Sequence, residues 1–140
     1  MIVLDTNVVS EFMRDHPRPE VLAWLDQQQA HTLFVTAVTE AEVRSGIALL
    51  PSGRRRRGLA AAAERAFGVL FAERILPFDS AAARAYAVIA ADRRAAGRPI
   101  SQADCQIAAI ARSRGAQVAT RDVGDFAGCG IEVMNPWATG

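Results

Sequence analysis

The chain has no lysine: all 16 of its basic residues are arginine. That absence excludes Schiff-base chemistry, lysine-based phosphate loops and Ser–Lys dyads. It also counts against phospho-aspartyl transfer, where a lysine steadies the phosphate. Cysteine is nearly missing. Cys105 and Cys129 are too few for a disulfide framework or a zinc site, and they read as small core residues of a protein in a reduced cytosol. The two histidines, His16 and His31, lie in polar surroundings with no metal ligand at useful spacing, and read as surface residues. No segment reaches the ~18 uninterrupted apolar residues of a membrane span. The apolar N-terminus has no basic region and is interrupted by Asp5, so it is not a secretory signal. These absences predict a soluble, cytoplasmic protein. A charge excess is lacking too: 15 acids against 16 bases leave +1. That gives no global electrostatic case for nucleic acid, though a local basic patch is still open.

What is present fits one domain over residues 1–140, with 51% hydrophobic residues and enough length to bury a core without disulfides. Short apolar runs predict strands at Ile2–Leu4, Thr32–Thr36, Arg74–Phe78, Ala116–Ala119 and Ile131–Met134. Between them, helical patterning predicts helices over Val8–Met13, Glu20–Gln29, Val38–Leu50 and Arg54–Ala72. In the second of these, Val21, Leu22, Trp24 and Leu25 should face inward. Two further helices follow, one capped by Asp79 and closed by Gly97, one capped by Ser101 and closed by Gly115. Strands alternating with helices predict an α/β fold in three layers, a mostly parallel sheet of about five short strands between helices. In such sheets, ligands bind beyond the strands' C-terminal ends. Asp5 follows the first strand there, and Thr120-Arg121-Asp122 follows the fourth.

The acids are the informative residues. Asp5 alone could simply start an Asx-turn. Glu42 stands three residues after Thr39, and Asp104 three after Ser101, so each fits a capping box. Yet Asp104 shares its helical face with Ile107, Ala108 and Ala111, an apolar face that must pack inward. A carboxylate at the mouth of such a face needs donors or a cation. With a parallel sheet, the loops carrying Asp5, Glu42, Asp104 and Asp122 converge on one edge. Carboxylates crowded together repel, and a hard divalent cation resolves the repulsion; oxygen-only ligands suit Mg²⁺ or Mn²⁺. Phosphodiester hydrolysis by a metal-activated water is the chemistry such an ion supports.

At these residues the chain resembles PIN-domain ribonucleases. Leu4-Asp5-Thr6-Asn7 is similar to their opening, and Thr39-Glu40-Ala41-Glu42-Val43-Arg44-Ser45-Gly46 to their second block. The third is matched by Gln102-Ala103-Asp104-Cys105-Gln106-Ile107-Ala108-Ala109-Ile110-Ala111. Ala119-Thr120-Arg121-Asp122, followed by Asp125-Phe126 and Val133-Met134-Asn135-Pro136-Trp137, matches the fourth block and tail. Within the family the likeness is greatest to VapC and FitB toxins of type II toxin–antitoxin pairs. The resemblance implies a metal-dependent endoribonuclease, usually a homodimer, neutralised by a small DNA-binding antitoxin. It carries the catalytic and metal-binding roles to Asp5, Glu42, Asp104 and Asp122, and makes Asn7 and Thr120 polar supports of that site. Asp125 could share or take the role of Asp122. Arg44, Arg121 and the run Arg54–Arg57 are candidate RNA contacts, since guanidinium matches phosphate geometry.

Two other functions stay open on the sequence alone. One is a phosphoryl-transfer domain built on Asp5, disfavoured because Asn7 stands where a second Asp is wanted and no lysine exists. The other is a non-catalytic PIN-like binding module whose acids only cap helices or pair with arginine.

Overall fold

Five short apolar runs form the sheet of the computed structural model, which describes residues 1–138: β1 (Ile2–Leu4), β2 (Leu33–Thr36), β3 (Ile75–Leu76), β4 (Gln117–Ala119) and β5 (Val133–Met134). They lie in the order β3-β2-β1-β4-β5, and every pairing is parallel. The sheet is thus wholly parallel rather than mostly so. Parallel neighbours require crossover connections, and six helices supply them: α1 (Thr6–Phe12), α2 (Pro19–Asp26), α3 (Ala37–Ala48), α4 (Arg54–Arg65), α5 (Ser80–Ala95) and α6 (Gln102–Ser113).

Successive strand residues point to opposite faces, which divides the core into two layers. Val3 and Val118 join the cluster built on α5 and α6, with Ile89, Ile107 and Ile110 at its centre. Their neighbours Leu4 and Ala119 join the cluster on the other face, with Val8, Val9, Val43 and Phe67. The fold is therefore the three-layer α/β arrangement expected, with helices on both faces of the sheet.

Helix ends follow local chemistry. The Asp79 carboxylate accepts from the Ala82 N–H at 3.0 Å. Gly97 and Gly115 end α5 and α6 with φ of 72° and 65°, left-handed values that a side chain disfavours. Three departures from expectation have physical causes. Helix α3 begins at Ala37, directly from β2, because the strand's last residue, Thr36, caps it by accepting from the Thr39 N–H at 3.0 Å. Helix α4 stops at Arg65 and widens into a π-helical turn over Ala66–Leu70. The wider turn keeps Phe71 on the buried face of Ala63, Ala66 and Phe67. Leu22 is exposed, since the stripe Val21, Trp24, Leu25 already fills the inward face of α2.

No helix among the described residues is long and apolar enough to cross a membrane. Cys105 and Cys129 are free and buried, and burial pushes the Cys105 thiol up to about 11. His16 and His31 are exposed.

Candidate active site

The strand order makes one position special. The chain leaves β1 towards β2 and β3 on one side and later crosses to β4 and β5 on the other. The segments after β1 and β4 therefore part from each other at the sheet's C-terminal edge, which opens a crevice. Asp5 is the first residue beyond β1 and Thr120 the first beyond β4. Their strands are held in register there by the Asp5 N–H, which donates to the Ala119 carbonyl at 2.9 Å.

Two threonines organise the acids. Thr120, fully buried, donates its hydroxyl to Asp5 Oδ2 at 2.7 Å. Its oxygen accepts from the Asp122 N–H at 3.0 Å and faces Asn7 Nδ2 at 3.4 Å. Asn7 Nδ2 also donates to Asp122 Oδ2 at 3.0 Å, and Asn7 Oδ1 lies 3.4 Å from the Arg121 N–H. One hydroxyl and one amide thus fix Asp5 relative to Asp122. On the other side, Thr6 N–H donates to Asp5 Oδ1 at 2.8 Å, and the Thr6 hydroxyl donates to Glu42 Oε1 at 2.7 Å. Thr39 Oγ1 lies 3.0 Å from Thr6 Oγ1. Because the Thr6 proton is spent on Glu42, Thr39 is the donor of that pair.

Asp5, Glu42, Asp104 and Asp122 all line one cleft of about 830 Å³. The capping explanation of the two helix acids fares unevenly. Thr36, not Thr39, caps α3, so Glu42 sits one turn beyond the capping position and turns to Thr6 instead. Ser101 does cap α6, its hydroxyl accepting from the Asp104 N–H at 3.2 Å. The reciprocal bond, from the Ser101 N–H to the Asp104 carboxylate, is absent among the described residues, and Asp104 also lines the cleft.

Electrostatics set these acids apart. Burial lifts the Asp5 carboxyl from 3.8 to about 6, against the hydrogen bonds from Thr120 and Thr6; the charges of Asp104 and Glu42 push the same way as burial. Asp104 is also raised, first by burial, against a hydrogen bond from the Ser101 side chain; the charges of Asp125, Glu42 and Asp122 push the same way as burial. Among the described residues none of the four forms an ion pair, although arginines pair with Glu11, Glu20, Glu40, Glu64 and Asp79. Oxygen donors without a protein cation are the set a hard divalent ion takes. The acids are not drawn into a closed cage: among the described residues no three Asp, Glu, His or Cys side chains could by themselves enclose an ion. Asp5, Glu42 and Asp122 are each held by neutral donors instead. Mg²⁺ keeps several of its waters and is bound through one or two carboxylates, so an oxygen-only donor set that does not enclose the ion suits it.

The remaining candidates divide. Arg121 lines the cleft, its guanidinium 5.3 Å from the centre of the Trp137 ring. Of the run Arg54–Arg57, only Arg55 reaches the lining. Arg44 does not: it bridges Glu40 on its own helix to Glu64 on α4 and stacks on Phe67 at 5.5 Å, so it joins α3 to α4. Asp125 is exposed and outside the lining, in the 3₁₀ turn after Asp122, although its charge acts on Asp104. The sequence pointed to neither Thr6 nor Trp137. Thr6 lies inside the Asp5-Thr6-Asn7 block, where a donor between two acids was the available signal; for Trp137 no local pattern gives its partner.

Comparison with known proteins bears on the family and the fold. The family model described as "PIN domain" matches residues 2–127. The chain is 47% identical over 137 residues to a plasmid stability protein, StbB, of Pseudomonas syringae pv. tomato, covering 98% of this chain and 99% of that one. It is 44% identical over 137 residues to a VapC ribonuclease of Sinorhizobium fredii, covering 98% of each. The toxin FitB of Neisseria gonorrhoeae is also 44% identical over 137 residues, covering 98% of this chain and 99% of that one. Among solved structures, FitAB bound to a DNA fragment superposes with a TM-score of 0.93 at 43% identity, covering 100% of this chain and 98% of that one.

Proposed function

The chain belongs to the PIN-domain family, and on that premise we propose that it is a divalent-metal-dependent endoribonuclease, the toxin of a type II toxin–antitoxin pair. One observation carries the proposal. Four carboxylates from four separate segments line one cleft unpaired, while among the described residues Arg14, Arg18, Arg44 and Arg114 pair with other acids. Asp5, Glu42, Asp104 and Asp122 would hold Mg²⁺ or Mn²⁺ there. Such an ion, when bound, offsets charge on the phosphate and makes water acidic enough to attack at neutral pH.

The chain's own groups perform the rest. Thr120 and Thr6 orient Asp5 through both of its oxygens, Asn7 orients Asp122, and Thr6 orients Glu42. Asp5 and Asp104, lifted by burial in the metal-free cleft, would be returned to the charged form by a bound cation. Arg14, Arg55 and Arg121 line the same cleft and supply positive charge for the RNA backbone. The partner in this reading is a small DNA-binding antitoxin, as the likeness to the DNA-bound FitAB complex suggests. A homodimer is favoured by exposed apolar residues, among them Leu49, Val69, Leu70 and Val88.

The test is RNA cleavage by the purified chain with Mg²⁺ or Mn²⁺, with EDTA, and with Asp104→Asn. Cleavage that needs the ion and is lost in the folded variant supports the proposal. Cleavage unaffected by EDTA, or retained by the variant, overturns it.

A further inference from the structure

Arg121 presents a puzzle. It directly precedes Asp122 and lines the same cleft as Asp5, Glu42, Asp104 and Asp122. A flexible cation beside four unpaired carboxylates should fold onto them, since an opposite charge within a few ångströms is the strongest partner available. Arg121 forms no ion pair and no side-chain hydrogen bond among the described residues; its guanidinium lies 5.3 Å from the centre of the Trp137 ring, and its charge also acts on Glu20 of α2.

Trp137 is an odd residue to find there on packing grounds alone. Its ring packs against the core cluster of Leu4, Val8 and Val9. Its indole N–H is buried with no hydrogen-bond partner among the described residues, an arrangement that phenylalanine would avoid. Indole is, however, the strongest side-chain surface for a guanidinium. The segment leading to it is fixed. The Thr120 N–H donates to the Met134 carbonyl at 2.9 Å, and the Trp137 N–H donates to Asn135 Oδ1 at 2.9 Å. The ring and the start of the Arg121 loop are therefore tied to one another through β4 and β5.

We propose that Trp137 is a positioning residue that holds the Arg121 guanidinium on the cleft rim, away from the four carboxylates. The acids then stay open to a divalent cation while the same guanidinium is presented to an RNA phosphate. The proposal rests on the metal-dependent reading of the cleft. It turns a rim arginine from a self-neutralising counter-ion into a substrate contact.

Calorimetric titration with Mn²⁺ alone, without RNA, tests it on the full chain. Removing the aromatic face in Trp137→Leu frees Arg121 to compete for the acids. Mn²⁺ affinity should fall by roughly two- to thirtyfold, the range of equilibrium shift a cation–π contact can supply. Arg121→Gln alone should bind Mn²⁺ at least as tightly as wild type. The double variant should regain that affinity, because the competing charge is gone. Wild-type affinity in Trp137→Leu, or a loss that persists in the double variant, overturns the proposal. Should Trp137→Leu fail to fold, the wild-type protein still gives an answer by NMR. The Arg121 Hδ protons should be shifted upfield by the indole ring and stay so as Mg²⁺ is added; unshifted protons overturn it. Wild-type protein that takes up no Mn²⁺ would instead remove the metal-dependent reading itself.

Discussion

Replacing Asp5 by Asn should make the metal-free protein gain stability on the wild type as pH rises. The Asp5 carboxyl is nearly inaccessible to solvent and lifted from 3.8 to about 6, first by burial. Its protonated form suits the fold. The stabilisation is fully present below the unfolded value near 3.8 and is lost as pH rises through about 6. A displacement of that size corresponds to about 3 kcal/mol in full, of which about 2.4 kcal/mol falls between pH 4 and pH 8. Asn carries no such dependence. It does give up one oxygen acceptor, leaving the Thr120 proton without its partner at a cost of about 1–3 kcal/mol. That cost is the same at every pH, so the change in the difference between the two proteins isolates the charge. At pH 8 the variant should be at least as stable as wild type. Thermal unfolding in EDTA from pH 4 to pH 8 reads this, with about 3–5 °C of Tm expected per kcal/mol for a domain of this size. Saturating Mg²⁺ should reverse the order, adding roughly 2.7 kcal/mol to the wild type at 100 times Kd and less to the variant. A wild-type-minus-variant difference that is flat across this range would refute the argument that Asp5 is a strained, buried anion.

Other outcomes follow from the same geometry. Thr120→Val removes the hydroxyl that lowers the Asp5 pKa, so the pH at which cleavage reaches half its maximum should rise; a pH–rate profile checks it. Arg44→Gln should lower Tm by loosening α3 from α4 and leave KM for RNA unchanged, because Arg44 is outside the cleft. The cleavage products should carry 5′-phosphate and 3′-hydroxyl ends; cyclic 2′,3′-phosphates, seen by mass spectrometry, would mean that the RNA 2′-OH and not water is the nucleophile. Sedimentation at micromolar concentration should give a dimer.

The sheet was legible because its strands are short β-branched or apolar runs ending in polar residues, and Asp5 and Thr120 could be placed at its C-terminal edge from that pattern alone. Glu42 was harder. The sequence Thr39-Glu40-Ala41-Glu42 imitates a capping box, and only the abrupt passage from β2 into α3 shows that Thr36 holds the cap. Arg44 read as a candidate RNA contact; its pairing with Glu40 four residues earlier was legible in the spacing, but that with Glu64, 20 residues away on another helix, was not. The Arg121–Trp137 contact was hidden for a related reason: two strands and their pairing bring those side chains together, and no periodicity within either segment records it. The hydroxyl of Thr6 also gave no sign of its direction until the start of α1 fixed it towards Glu42.

The central claim is that the four acids form the seat of a divalent cation. Crystals grown or soaked in Mn²⁺ and measured for anomalous scattering test it most directly. The account predicts a peak in the cleft within about 2.0–2.3 Å of carboxylate oxygens of at least two of Asp5, Glu42, Asp104 and Asp122, its other positions filled by water. Mn²⁺ bound elsewhere with the cleft empty, at concentrations that support RNA cleavage, would contradict it.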